Sequence, residues 1–176
     1  MEKQVHINIF DFDETLFRVP GYTCSQAKDM SPYEWFDSPE SLGRQFNICG
    51  ISNTIDKVKS TDCCLNYLVT HRVKECQAAV MDLLSVNQIK FDDVFFLGRE
   101  TAKSNTVIEL VRQTSATSIT VYEDSLWEII KYAKVFSDLD VTMNFVFVDK
   151  SKVITIDWDT ACSLADYSQS ERLKLI

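Results

Sequence analysis

The chain has little glycine and little positive charge. Four glycines in 176 residues exclude low-complexity linkers. Lysine and arginine number 18 against 26 aspartates and glutamates, a formal net charge of -8. That balance argues against a surface that coats nucleic acid non-specifically, while leaving room for a local basic mouth that holds one phosphate. No basic-plus-apolar segment precedes the first strand and no apolar run approaches membrane-spanning length, so neither secretion nor membrane insertion is expected. Paired Cys-x-x-Cys spacing is missing too. Cys24, Cys49, Cys63, Cys64, Cys76 and Cys162 therefore read as reduced thiols, half of them core filler, in a cytosolic or nuclear protein.

What is present is enough apolar material, 45% of residues, to form the core of a single domain over 1–176. The most informative stretch is residues 7–17, an apolar, β-prone run that ends in Asp11, Asp13, Glu14 and Thr15. It reads as a buried strand of a parallel sheet, with its carboxylates at the C-terminal mouth where open α/β sheets bind ligands. Strand alternation puts Asp11 and Asp13 on one side, where their repulsion calls for an opposing charge such as a hard divalent ion. The plain alternative is a solvated turn after an edge strand.

Residues 18–59 carry Pro20, Gly21, Pro32, Pro39, Gly43 and Gly50 and read as an insertion of loops and short helices over that mouth, with Ser52 or Asn53 capping a helix through Lys57. Strand and helix then alternate. Strands are expected at 64–70, 94–97, 118–122 and 143–148, with helical spacing at 73–84, 106–111 and 126–136. A further strand at 153–156 hairpins to the fifth, and 160–175 is left as a helix or a mobile end. The pattern implies an α/β fold, a Rossmann-like doubly wound parallel sheet with helices on both faces. Asp157 and Asp159 are expected to be a plain surface strand end.

Parallel strands bring their C-terminal ends to one rim. Thr70 ends the second strand, Lys103 opens the helix after the third, and Glu123-Asp124 ends the fourth, so all should face Asp11 and Asp13. Each has an ordinary alternative as a cap or a solvated side chain. Together they supply the parts for phosphoryl transfer with a divalent metal.

These residues resemble the four motifs of the haloacid dehalogenase superfamily of phosphohydrolases. Asp11, Asp13 and Thr15 match the first, Thr70 the second, Lys103 the third and Glu123-Asp124 the acidic fourth, in family order across residues 7–136. The segment 35–42 and Tyr122-Glu123-Asp124 are similar to the phosphatase-like domains of Swiss Army Knife RNA repair proteins, and Thr70-His71-Arg72 is similar to the phosphatase half of polynucleotide kinase-phosphatases. The resemblance implies the family's fold with a small or absent cap. It also implies an aspartyl-phosphate mechanism, with Asp11 as nucleophile and Asp13 as general acid and base. Mg²⁺ would be held by Asp11, Asp124 and the backbone carbonyl of Asp13, with Glu123 acting through water. Thr70 and Lys103 would hold the phosphoryl oxygens and balance their charge.

The short insertion suits a large phosphorylated substrate, RNA or DNA ends included. Tyr33, Trp35 and Phe36 are candidates to stack on a base and Arg72 to grip a neighbouring phosphate, although the plainer expectation is that the aromatics pack the insertion onto the sheet. His71 is expected to make a structural hydrogen bond rather than touch substrate. A catalytically weak binding module, a nucleotide or sugar phosphatase, and transfer to an acceptor other than water stay open as alternatives.

Overall fold

The computed structural model describes residues 4–21, 30–60, 64–150 and 152–166. In chain order they form β1 (His6–Phe10), β2 (Phe17–Arg18), α1 (Pro32–Asp37), a 3-10 turn (Pro39–Leu42), β3 (Cys49–Gly50), α2 (Ser52–Ser60) and β4 (Leu65–Thr70). A second 3-10 turn (Lys74–Cys76) leads into α3 (Gln77–Val86), β5 (Asp93–Phe96), α4 (Lys103–Thr114), β6 (Ser118–Glu123) and α5 (Leu126–Phe136). The chain continues with β7 (Thr142–Asp149), β8 (Lys152–Ile156), α6 (Trp158–Ser163) and a last turn (Leu164–Asp166).

Six strands make one sheet in the order β5-β4-β1-β6-β7-β8, parallel throughout except for β8, which returns antiparallel to β7. The chain lays strands outward from β1 through β4 to β5, then crosses back to β6 on the other side of β1. That reversal opens a crevice at the C-terminal ends of the central strands, as in Rossmann-like sheets. The expected hairpin through residues 149–152 is present, pairing Phe145 with Ile156 and Asp149 with Lys152.

Helices cover both faces because the strands are apolar on both. Ile7, Ile9, Val69, Val121 and Phe145 pack under Val107 and Leu110 of α4, Ile129 and Ala133 of α5 and Ala161 of α6. Phe10, Leu68, Tyr122 and Val146 pack on the other face under Val80 and Leu84 of α3 and Ile55 and Val58 of α2. Each such buried side chain contributes about 1.5–3 kcal/mol of transfer free energy. Phe10 stacks on Tyr122 with ring centroids 4.3 Å apart. Asn8 is buried mid-strand and tolerated because it donates to Asn66 Oδ1 at 2.9 Å across the β1–β4 pair.

Three expectations change here. The insertion is not wholly a cover: its last element, α2, is part of the helical layer on the Phe10 face. Ser52 is the first residue of that helix rather than its cap. Among the described cysteines all are free thiols, but only Cys76 is buried, so core filling applies to one of them, while Cys24 and Cys63 lie outside the described residues. The helix or mobile end expected at 160–175 is α6 and the last turn as far as Asp166, and 167–176 lie outside the described residues. Among the described residues no helix is long and apolar enough to cross a membrane.

Candidate functional site

β1 ends at Phe10, and its ladder with β6 runs one bond further, Asp11 N–H donating to the Tyr122 carbonyl at 3.0 Å. This fixes Asp11 at the crevice floor. The chain then coils tightly: the Leu16 and Phe17 amides both donate to the Phe12 carbonyl, and Glu14 takes a left-handed φ of 57°. For a residue with a Cβ that conformation costs roughly 1–2 kcal/mol. The coil carries the Thr15 hydroxyl back to Asp11 Oδ2 at 3.3 Å, after which β2 pairs with β3 as a short ribbon.

Lys103, the first residue of α4 and 3% exposed, donates to Asp11 Oδ1 at 2.7 Å and to Glu123 Oε2 at 2.8 Å. Burial opposes its charge, but Asp11 and Glu123 outweigh it and hold the ammonium well above its ordinary pKa. Glu123 uses its other oxygen to accept from the Ser125 amide at 3.2 Å, and Ser125 caps α5 through the Glu128 amide. Asp124 lies beside them, within hydrogen-bonding reach of Glu123. Burial, followed by the charges of Asp11 and Glu123, pushes Asp124 up to about 10. Burial also raises Glu123, to about 7, against the opposing pull of Lys103.

Thr70 is buried at the end of β4, its hydroxyl oxygen accepting from the Arg72 amide at 3.1 Å. Its hydroxyl hydrogen is thereby left to donate into the cleft. A cleft of 240 Å³ is lined by Asp11, Asp13, Thr70, His71, Lys103, Glu123, Asp124, Ser125 and Glu128. The residues assigned catalytic or metal roles from the sequence, Asp11, Asp13, Thr70, Lys103, Glu123 and Asp124, therefore line one cleft.

Carboxylate oxygens of Asp11, Glu123 and Asp124 lie within 4.8 Å of one another, a separation that one cation can span. The donor set suits a hard divalent ion, being all oxygen. Charge agrees: with every carboxyl ionised, Asp11, Asp13, Glu123, Asp124 and Glu128 face Lys103, with Arg72 and Lys131 behind them, which leaves two negative charges in excess for a cation to offset, and without one the protons held by Asp124 and Glu123 offset them instead. The Asp13 carboxylate is not part of the cluster. Arg72 draws it aside, so Asp13 could join a metal only through its backbone carbonyl, the atom the sequence reading assigned.

Arg72 is the residue whose role the sequence reading missed. Its guanidinium, 2% exposed, donates from Nε to Asp13 Oδ2 at 3.0 Å and from Nη2 to Asp13 Oδ1 at 2.6 Å. Nη1 donates to the Phe36 carbonyl at 2.7 Å and to Ser41 Oγ at 2.5 Å. A guanidinium so enclosed cannot reach out to a neighbouring substrate phosphate. It instead ties the insertion to Asp13. Burial keeps the Asp13 carboxyl above its ordinary pKa even though Arg72 pulls it down. An arginine two residues past a strand-end threonine, on the rim that Asp13 shares, was the signal available.

Of the insertion's aromatics, Trp35 is fully buried, donates its indole N–H to the Pro20 carbonyl at 2.9 Å and packs edge-on against Phe46. It packs the insertion on itself, through Pro20 and Phe46, where the plainer expectation had the aromatics packing it onto the sheet. Phe36 lies over the Arg72 guanidinium, and Tyr33 is 65% exposed beneath Arg99. His71 departs from expectation: half-buried in the cleft wall, its imidazole makes no hydrogen bond among the described residues. Asp157 caps α6 by accepting from the Thr160 amide and takes no part in the cleft.

Comparison with known proteins returns no matching family model, no matching curated protein and no matching solved structure.

Proposed function

We propose that this chain is a Mg²⁺-dependent phosphohydrolase of the haloacid dehalogenase type, cleaving phosphate monoesters through an aspartyl-phosphate on Asp11. The observation that carries the reading is the Lys103-centred arrangement. A carboxylate at the crevice floor is held by a buried ammonium and a hydroxyl, beside two further carboxyls and a strand-end threonine. Only some of these would be needed for folding, and buried charges that repel one another carry a cost that a functional role explains.

In this reading an Asp11 oxygen attacks phosphorus, the ester P–O bond breaks, and the Asp13 carboxyl gives its proton to the departing alkoxide. Water then attacks the acyl phosphate, Asp13 takes a proton from it, and inorganic phosphate leaves with Asp11 restored. The raised pKa of Asp13 suits both halves of that exchange. Lys103 and the Thr70 hydroxyl hold phosphoryl oxygens. Asp11, Asp124 and the Asp13 carbonyl would hold Mg²⁺, which when bound supplies charge neutralisation of the phosphoryl group. RNA and DNA ends belong to the proposed substrate range because the short insertion is suited to admitting a long chain.

The test is hydrolysis of p-nitrophenyl phosphate, nucleoside monophosphates and 3′- or 5′-phosphorylated oligonucleotides with Mg²⁺ or EDTA. Turnover that needs Mg²⁺, and disappears in Asp11→Asn, is the expected result. Undiminished turnover in EDTA would refute the metal site. Inactivity across the panel would shift the reading to a binding module.

A further inference from the structure

One wall of the cleft has no task in the mechanism above. The insertion and Arg72 build the Asp13 side, on the Phe10 face of the sheet. The opposite side belongs to α5, on the Ile7 and Ile9 face, where Ser125 and Glu128 line the same cleft as His71 and the Glu128 carboxylate acts electrostatically on its imidazole. The His71 imidazole has no hydrogen-bond partner among the described residues. Burial first, and Lys103 second, lower its pKa, and it is neutral at pH 7, with one N–H donor and one acceptor nitrogen. The charged groups acting on it are Lys103, Glu128, Asp11 and Lys131. Glu128 is itself nearly buried, and Lys131 engages its Oε1 at 2.7 Å, while Oε2 has no hydrogen bond among the described residues.

This pair discriminates by chemistry. A second phosphate or a carboxylate would meet the Glu128 charge, with Lys131 already engaged. An apolar leaving group would desolvate a carboxylate oxygen and an imidazole and pair neither. A neutral hydroxyl satisfies both, its hydrogen donated to Glu128 and its oxygen accepting from the imidazole N–H.

We infer that His71 and Glu128 form a subsite for a hydroxyl on the leaving group, so that preferred substrates are phosphate esters of polyols, ribose included, with a free hydroxyl next to the ester. The inference rests on the phosphohydrolase reading and names its substrate class.

Three matched pairs test it: glycerol 3-phosphate against propyl phosphate, adenosine 3′-monophosphate against its 2′-deoxy counterpart, and a 3′-phosphorylated RNA oligomer against the same DNA sequence. The wild type should favour the hydroxylated member by on the order of tenfold to a hundredfold in kcat/KM. The pair with the largest ratio tells a small polyol from an RNA end. His71→Ala and Glu128→Met should each bring the ratio to within about threefold of one, and His71→Gln, which keeps a donor and an acceptor, should retain part of it. No preference in the wild type, or equal losses on both members of every pair, overturns the subsite. If the wild type hydrolyses no monoester, the phosphohydrolase reading fails by itself. Calorimetric binding of the same pairs to Asp11→Asn protein with Mg²⁺ then decides the subsite separately, because equal affinity for glycerol 3-phosphate and propyl phosphate overturns it.

Discussion

Asp11 and Asp13 stand two residues apart at one strand end, yet each leans on a different buried cation, Lys103 for the first and Arg72 for the second. That division sets distinct outcomes for substitution. Asp11→Asn should form no phosphoenzyme, detectable by quenching with radiolabelled substrate, whereas Asp13→Asn should slow both formation and breakdown. Arg72→Lys keeps a charge but loses the planar fork, so Asp13 would be held less well. General-acid help is worth about 10²–10⁴-fold, and alkyl phosphates should lose a large part of that in Arg72→Lys while p-nitrophenyl phosphate, with its good leaving group, loses much less. Equal losses on both would count against a role through Asp13. Lys103→Met strands Asp11 and Glu123 without their shared cation, and should cost about 3–5 kcal/mol in urea unfolding at neutral pH.

At the level of elements, α1 is short but fastened at several points. Trp35 is fully buried, the Phe36 carbonyl receives Arg72, and Arg99 from the β5–α4 connection pairs with Asp37 at 3.0 Å. Trp35→Ala should cost about 3–5 kcal/mol if the cavity does not collapse. It should also lower kcat for alkyl phosphates more than it raises KM, because the Phe36 carbonyl that orients Arg72 would shift; a change in KM alone would mean that the insertion serves binding only. The core strands were legible in the sequence because apolar, β-prone residues dominate short runs bounded by polar ones, and the rim residues because parallel strands align their ends. The insertion was not. Pro32 and Pro39 mark where its elements start, and Ser31-Pro32-Tyr33-Glu34 carries the local spacing of a capping box, but nothing local shows that Ser41 is buried against Arg72. Asn8 was equally opaque: its partner Asn66 lies 58 residues away, and only the register of β1 on β4 brings them together.

For the whole molecule, the raised carboxyls link stability to pH in a direction opposite to the usual acid denaturation. Glu123 and Asp124 have ordinary values of 4.5 and 3.8 when unfolded and about 7 and about 10 in the fold. A carboxyl that holds its proton more tightly when folded stabilises the fold fully below its unfolded value, and that contribution fades as pH rises through the folded one. In EDTA, the contribution of these two groups should fall between about pH 4 and about pH 10, lowering Tm across that window. In the proposed reading Mg²⁺ would compete with the protons, so its stabilisation should be larger at the alkaline end. At a hundredfold excess over Kd it supplies about 2.7 kcal/mol, or roughly 5–10 °C in Tm, and the gain should shrink on acidification. A Mg²⁺ shift of equal size at both ends, in scanning calorimetry, would contradict this.

The central position of β1 also has a consequence for synthesis. Its two neighbours reach it late, β4 with Asn66 58 residues after Asn8 and β6 with Ser118 112 residues after His6. At translation rates of about 5–20 residues per second, the second flank of β1 stays open for roughly 6–22 s after the strand itself is made. An open apolar strand is a template for pairing with other nascent chains. Slower translation between β4 and β6 should therefore lower the yield of folded protein without altering the stability of the molecules that do fold.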